Sequence, residues 1–409
     1  MGQSREGSGQ EGHVMDSMPA AETLGKAMAW GGIGVLLAVL ACRMMGVFIA
    51  YPVLATHAHE LVGSNTARVG LALGAYGLTQ ALCTLPLAML SDRIGRKPVI
   101  GCGLLLLGLG SIMAAQAHHI GTLIAARAVQ GSGAVGASIM AALADLSPGN
   151  TRTMVMAGVG MVMAISFALA FLLGPILAAH GGLVTVFWFT AAMTGAAMVA
   201  LLLAVPKRPA SMARRTVGSL LGRVCLDLWP LHTGIAMLHI SLAAIFLVLP
   251  DLLHSTAPQL HSAALYGATL VFSFIISVLG IALAERARRT TLLAGCATAA
   301  LCIGCLLLAW HRDLTILVLG MAIYFSGFNT LEALLPSLTS RRAPEPAVGT
   351  AMGVFSTFQF LGIFLGGSLG GLAATHSTWL LLGSMAILPL LWFAAGQRGL
   401  ANPERVSIT

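Results

Sequence analysis

The sequence predicts an all-α polytopic membrane protein with twelve membrane-spanning helices. Its 409 residues are 57% hydrophobic and only 9% charged, against roughly 25% charged in an average soluble domain. No water-soluble fold has enough polar surface to cover such a composition. Apolar runs of about 20 residues recur along almost the whole length, each long enough to cross a hydrocarbon core of about 30 Å. Backbone groups in lipid must bond within their own segment, which makes the spans α-helices.

The spans run Met28 to Ala55, Arg68 to Leu90, Val99 to Ala117, Ile120 to Leu143, Met154 to Ala178, Leu183 to Val205, Leu231 to His254, Ser262 to Ala284, Leu292 to Trp310, Leu314 to Leu338, Gly349 to Thr375 and Thr378 to Ala395. The first begins too far from Met1, and carries Arg43 too near its middle, to read as a cleaved signal peptide. Ahead of it, residues 1–23 are polar and rich in Gly, Ser and Glu, the composition of a disordered segment. Met1-Gly2 hints at myristoylation, but Glu6 stands where that motif wants Ser or Thr.

An even number of crossings puts both termini on one side, and the basic residues identify it. On that side fall Arg5, Lys26, Arg93, Arg96, Lys97, Arg152, Lys207, Arg208, Arg214, Arg215, Arg223, Arg286, Arg288, Arg289, Arg341, Arg342, Arg398 and Arg405; Arg68 and Arg312 fall on the other. By the positive-inside rule both termini are cytoplasmic, so the net charge of +8 is a topology signal and not a nucleic-acid-binding patch. The longest internal connection, Pro206 to Pro230, carries five Lys or Arg residues and divides the spans six and six. The expected organisation is a cytoplasmic N-terminus (1–23), a six-helix bundle (24–205), a cytoplasmic linker (206–230), a second six-helix bundle (231–396) and a cytoplasmic tail (397–409). Six of the seven cysteines lie in spans and Cys225 lies in a loop, so no disulfide framework is implied. A redox or metal role for the C-x-x-C pair Cys302 and Cys305 would need polar partners in span 9; small apolar packing is the expectation, and no metal site is expected.

Ionisable side chains away from the span ends recur with a period of three spans: Arg43 in span 1, Arg127 in span 4, His239 in span 7 and Glu332 in span 10. A charge at the bilayer centre costs about 2.5 to 3.5 kcal/mol on insertion scales, so such residues face protein or a wet cavity. The recurrence implies three-helix repeats whose first members line one central space, as in transporters built from inverted repeats. Individual snorkelling or local pairing is the alternative, and it suits Arg127 best, which lies nearer the outer end.

Between spans 2 and 3 the chain reads Ser91-Asp92-Arg93-Ile94-Gly95-Arg96-Lys97-Pro98. Gly95 permits a tight turn, and Asp92, Arg93, Arg96 and Lys97 put opposite charges in one short loop. The segment resembles the loop motif of the major facilitator superfamily, with Ala88 where that motif begins with Gly. Span 4 reads Arg127-Ala128-Val129-Gln130-Gly131-Ser132-Gly133-Ala134, similar to the superfamily's R-x-x-Q-G-x-G-A segment. Span 5 carries Leu173-Gly174-Pro175, similar to the core of its antiporter motif, although Ala170, Ala178 and Ala179 replace glycines of the full pattern. Gly131, Gly133 and Gly136 also satisfy G-x-G-x-x-G, but no strand precedes them, so close helix approach and not dinucleotide binding explains them. Gly366, Gly367, Gly370 and Gly371 in span 11 read the same way. Arg43 to Gly46 through Pro52 to Leu54, Tyr76 to Ala81, Phe328-Asn329 with Glu332 to Leu338, and Gly349 to Gly353 with Gln359 to Gly362 resemble the YajR-like branch of the bacterial drug:proton antiporters. The resemblance runs from about Leu36 to Ala395. YajR itself places a small soluble domain after span 12; this sequence ends at Thr409, so regulation through such a domain is not expected.

The resemblance implies the major facilitator fold, two six-helix bundles rocking about a central site in a bacterial inner membrane, with spans 1, 4, 7 and 10 lining the cavity. Candidate proton-coupling residues are Glu332 first, His239 second, and Arg43 and Arg127. Candidate cavity residues are Tyr76, Gln80, Gln130, Asn329, Phe355 and Gln359, with Phe48, Phe274, Tyr324, Phe325, Phe328 and Phe358 as candidate apolar lining. In the family the motif aspartate faces the cytoplasmic end of span 11 and its second arginine pairs with an acid at the end of span 4, which match Asp92, Arg96 and Asp145. With Arg93, Gly95, Lys97 and Arg152 these form the expected cytoplasmic gate. Gly174 and Pro175 mark the antiporter motif. The implied function is proton-coupled efflux of hydrophobic or amphiphilic small molecules by alternating access, without a cofactor beyond the coupling proton. A symporter or facilitator importing a nutrient or anion, and a non-transporting sensor or scaffold of the same fold, stay open. No paired nucleophile and base, metal cluster or phosphate loop points to an enzyme. The expected partners are a small molecule, protons and the lipid bilayer, not nucleic acid, and the expected state is a monomer.

Overall fold

The computed structural model describes residues 20–147, 151–205, 222, 224–258, 262–344 and 347–401. Eleven of its helical segments are long and apolar enough to cross a membrane, and one of them is two crossings. Within Arg152–Ala204 the helix is interrupted at Gly181 and Gly182; Gly182, at φ 60° and ψ −145°, occupies backbone space that favours glycine. All twelve expected spans are therefore present. Span 1 is Ala20–Phe48 continued by Ala50–His57, span 2 is Thr66–Ile94, span 3 is Arg96–Ala115, and span 4 is Ile120–Ser132 followed by Gly136–Leu146. Spans 5 and 6 are the two arms of Arg152–Ala204, and span 7 is Trp229–Ile245 followed by Leu249–Thr256. Spans 8 to 12 are Ser262–Arg286, Thr290–Trp310, Leu314–Arg342, Val348–His376 and Thr378–Ala401.

Several boundaries differ from expectation. The first helix begins at Ala20, inside the stretch read as polar terminus; span 7 begins at Trp229, inside the stretch read as linker; and the last helix continues to Ala401, into the stretch read as tail. Of those three stretches, residues 1–19, 206–221, 223 and 402–409 lie outside the described residues. Local chemistry fixes other ends. Asn65 accepts from the Arg68 amide at 2.8 Å to cap span 2, and Asp313 accepts from the Ile316 amide at 2.9 Å to cap span 10. Gly95 ends span 2 and starts span 3 at φ 98° and ψ 157°, a conformation essentially reserved for glycine.

The breaks in spans 1 and 7 follow prolines. Pro52 and Pro250 lack the N–H that would bond Phe48 and Phe246 four residues earlier, and the helix is interrupted between each pair. Around the second break the chain tightens into bonds from Leu247 to Ala244 and from Val248 to Ile245. Span 4 breaks at Gly133, where the Gly133 amide turns to the Gln130 carbonyl.

Side chains of outward-facing Leu203, Leu283 and Leu391 are exposed, as a lipid-facing surface requires. The two halves meet chiefly where span 2 packs on span 11, and secondarily where span 5 packs on span 8. Between spans 2 and 11 the backbones touch: a Cβ on Gly70 would lie 2.2 Å from the Gly367 oxygen, and one on Gly77 would lie 2.5 Å from the Phe360 oxygen. These contacts lie in the half away from the Gly95 turn. In the same half Phe48 and Tyr51 of span 1, Phe171 of span 5, Phe246 of span 7 and Tyr266 of span 8 form one continuous aromatic cluster, with ring centroids 4.6 to 6.4 Å apart. Backbone contact and aromatic packing together close that face.

Candidate functional site

The third-span pattern converges on the interior. Arg43, Arg127 and His239 are 2%, 1% and 0% exposed, and Glu332 is partly exposed. They form two separate groups, one in each half. In the N-terminal half Arg127 donates from Nη1 to Gln130 Oε1 at 2.8 Å, and Gln130 Nε2 donates to Ser111 Oγ at 2.8 Å. The Arg127 Cζ sits 4.7 Å from the centroid of the Tyr76 ring, a cation–π distance. Tyr76 in turn lies 6.4 Å from Phe360 of span 11, and Arg43 places its Cζ 5.9 Å from that same Phe360 ring. Arg43 Nη1 lies 3.0 Å from where a Cβ on Gly136 would be, so the glycine of span 4 leaves the room this guanidinium occupies. Its Nε and Nη2 are buried without a hydrogen-bond partner, as are Arg127 Nε and Gln80 Oε1.

In the C-terminal half Gln359 of span 11 bridges the two titratable groups. Its Nε2 donates to Glu332 Oε1 at 3.2 Å and faces His239 Nε2 at 3.0 Å. His239 Nδ1 is 3.1 Å from the Ile235 carbonyl oxygen, which can only accept. The network therefore assigns a neutral imidazole, with the proton on Nδ1 and the lone pair of Nε2 receiving the amide. Glu332 Oε2 lies 3.9 Å from His239 Nδ1 and has no hydrogen bond. One amide thus contacts both titratable groups. A proton arriving on His239 Nε2 needs an acceptor, so Gln359 must present Oε1 instead and withdraw its donation to Glu332. Among the described residues Glu332 makes no ion pair with Arg43.

Other expected residues separate from this group. Asn329 donates to Ser273 Oγ of span 8 at 3.0 Å. Phe355 is buried beside His232, at a centroid distance of 6.4 Å. Tyr324 is buried and donates to Ser241 Oγ at 3.0 Å, while Phe48, Phe325 and Phe328 belong to the interior aromatic cluster. Phe274 does not line the interior: it is 48% exposed, because Ser273 and Ser277 take the inward face of span 8. His232, which the sequence does not single out, lies at the start of span 7; it is 1% exposed, stacked on Phe358 at 5.6 Å, with Nε2 3.3 Å from the Val224 carbonyl oxygen. Gly174 packs against the break in span 1, since a Cβ there would meet the Ile49 oxygen at 3.0 Å and Pro52 Cγ at 3.3 Å.

At the basic face Arg96 is the hub. It bonds Asp92, donates from Nε to Asp145 Oδ2 at 3.2 Å and from Nη1 to Ser91 Oγ at 2.7 Å. All of these partners belong to the N-terminal half, and Gly349 at the start of span 11 faces open space. Lys97 does something different from its neighbours: Nζ reaches the Leu202 and Val205 carbonyls at 2.8 and 2.5 Å, capping span 6. Arg342 does the same for span 12 through the Leu400 carbonyl at 2.7 Å. The ends of spans 8 and 10 are tied by Arg341 and Glu285 at 2.9 Å, and Arg288 takes a positive φ of 52° where the first half uses Gly95. Arg93 is exposed, and the side chain of Arg152 lies outside the described residues.

The chain as a whole is similar to known proteins. The family model described as Major Facilitator Superfamily matches residues 36–367 and 231–404. The Inner membrane transport protein YajR of Escherichia coli (strain K12) is 39% identical over 361 residues, covering 85% of this chain and 78% of that protein. The Tetracycline resistance protein, class E, of Escherichia coli is 33% identical over 169 residues, covering 40% of this chain and 41% of that protein. In three dimensions a point mutant of the nucleoside transporter NupG superposes with a TM-score of 0.72 at 14% identity, covering 88% of this chain and 99% of that one, a likeness of fold. The chain is a multi-pass membrane transporter belonging to the Major Facilitator Superfamily.

Proposed function

We propose that the protein is a proton-coupled efflux antiporter of hydrophobic or amphiphilic small molecules, working by alternating access in a bacterial inner membrane with both termini cytoplasmic. The observation that carries this reading is the Glu332–Gln359–His239 bridge: the carboxylate of a partly exposed side chain, its Oε2 buried without a partner, is tied through an amide to an imidazole on another span. Such a pair can take up a proton when facing one side and release it when facing the other, provided the surroundings of Glu332 change between states. The matching segment of the tetracycline resistance protein supports the direction, and the Asp92–Arg96–Asp145 network supports a gate on the cytoplasmic side, with Arg93, Gly95, Lys97 and Arg152 around it. The protein acts as a monomer and needs no cofactor beyond the proton. The two buried arginines favour a second reading, a symporter or facilitator importing an anion, and the same assay separates the two.

In everted vesicles that overproduce the full chain, an acidified lumen is followed with a pH-sensitive dye while compounds from a metabolite and antibiotic panel are added. An antiporter releases luminal protons when its substrate is added outside, a proton symporter does not, and Glu332→Gln loses the response while retaining substrate binding. Proton release at the wild-type rate in Glu332→Gln removes Glu332 from the mechanism.

A further inference from the structure

Two guanidiniums are buried in the N-terminal half, and they differ in how far they are satisfied: Arg127 leaves only Nε without a partner, Arg43 both Nε and Nη2. Arg127 has the Gln130 oxygen and the Tyr76 ring. Arg43 has the face of Phe360, which belongs to the opposite bundle, and two buried nitrogens, Nε and Nη2, with no hydrogen-bond partner. Within the described residues no carboxylate answers it: Glu332 is held by Gln359 beside His239, Asp92 and Asp145 are held by Arg96, and Glu285 is held by Arg341. An arginine cannot shed its proton as a buried lysine does, so the charge persists. A buried cation with empty donors is costly, and each such group in a native protein calls for a reason.

The two empty nitrogens are themselves specific. Nε–H and Nη2–H point in parallel from one edge of the guanidinium, the edge that receives both oxygens of a carboxylate side-on. Arg43 also stands at the seam of the two bundles, over a ring contributed by span 11, where a cargo must pass. We propose that Arg43 is the anion anchor of the substrate site and that the transported compound is an amphiphile bearing a carboxylate, its apolar body lying against Phe360 and Tyr76. This rests on the transport reading above and narrows it to a substrate class; Arg127 keeps a positioning role through Gln130.

The test is equilibrium binding to the full chain in neutral detergent at one pH, read as thermal stabilisation with an aryl series matched in its body and differing in its head: naphthylacetate, naphthylethanol, naphthylethylamine and acetate alone. Expected is stabilisation by the carboxylate at concentrations about tenfold or more below those needed for the alcohol or amine, the size of a lost charged hydrogen-bond pair. Arg43→Gln should bring the carboxylate to the level of the alcohol without altering the alcohol, and Arg43→Lys, should the glutamine variant fold poorly, should retain a weakened preference of the same sign. The assignment is wrong if no carboxylate stabilises the protein, if alcohol or amine binds as well, if the preference survives Arg43→Gln, or if acetate alone is equally effective, which marks a site for an adventitious ion only. Because no gradient is present, failure here leaves proton antiport standing. Conversely, carboxylate binding without proton-linked flux sinks the antiport reading and spares the anchor.

Discussion

Placing an alanine at Gly70 sets a methyl carbon 2.2 Å from the Gly367 oxygen and 2.8 Å from Gly371 Cα, both backbone atoms of the other bundle. Ordinary carbon contacts begin near 3.5 Å, so spans 2 and 11 must separate by roughly 1 Å at that level. Overpacking of this kind costs about 1 to 3 kcal/mol. The cost falls only on the conformer in which the two helices touch, and a conformer open on that face is spared. The equilibrium should then move by about 5- to 150-fold toward the open form. Gly77→Ala, 2.5 Å from the Phe360 oxygen and 2.8 Å from the Phe364 amide nitrogen, should act similarly. Gly74→Ala should be milder, because its closest neighbour at 2.7 Å is the movable Ser368 hydroxyl and its nearest backbone atom, the Phe364 oxygen, is 2.9 Å away. Gly160→Ala meets nothing within 4 Å and serves as the control. Spin labels at the exposed positions Val62 and Thr375 report the opening as a longer distance by pulsed EPR in nanodiscs, and vesicle flux reports turnover. The expected order of lengthened population and lost turnover is Gly70, then Gly77, then Gly74. Distances and flux in Gly70→Ala equal to those of Gly160→Ala would show that this packing is not the seal.

Other residues give sharper, smaller tests. Gln359→Leu removes the bridge while leaving Glu332 and His239 in place, so substrate binding should persist while proton release per substrate falls; an unchanged ratio would mean that the two groups titrate independently. Arg96→Ala and Asp145→Asn should each slow turnover and raise labelling of a cysteine placed at Phe355, and the double variant should be no worse than the more severe single one, since both remove one network; full additivity would point to separate roles. Gly95→Ala, forced to φ 98° and ψ 157°, should destabilise the protein by about 1 to 3 kcal/mol in thermal unfolding with little change in substrate affinity. A melting temperature equal to wild type would show that the turn relaxes freely.

Some of this was legible in the sequence and some was hidden by the solvent. Span number and the interior positions of Arg43, Arg127, His239 and Glu332 follow from apolar length and from the cost of burying charge, which act on one helix at a time. Helical phase does not follow so easily, because in lipid both the packed and the exposed face of a helix are apolar. That is why Phe274 reads as a lining residue and proves exposed, whereas the small polar residues Ser273 and Ser277 mark the packed face. Asn329 is diverted to Ser273 for the same reason. His232 carries no signal in the sequence because it sits close to a span end, where a histidine looks solvated, yet Val224 and Phe358 bury it. Gln359 could be named as a cavity residue, but its double contact depends on how spans 7, 10 and 11 are rotated.

The proline breaks show how far the repeat logic reaches. Phe48 and Pro52 in span 1 have the same spacing as Phe246 and Pro250 in span 7, the first helix of each half. Each proline withholds the N–H that its phenylalanine's carbonyl would accept, and each helix is interrupted between the two. The consequences meet in space: Tyr51, beside the first break, lies 5.9 Å edge-on to Phe246 at the second, and the segments beyond the two breaks pack together. A helix lacking one backbone bond bends at lower cost than an intact one. The two half-spans that close the face opposite the basic loops are therefore joined to the ionisable layer by the softest points in their helices. Restoring the lost donors with Pro52→Ala and Pro250→Ala should stiffen both hinges. The double variant should bind substrate as wild type does and exchange it more slowly between the two faces, with the Val62 to Thr375 distance distribution narrowed. A double variant with wild-type turnover and an unaltered distribution would show that the motion takes place elsewhere, by rigid rotation of whole bundles.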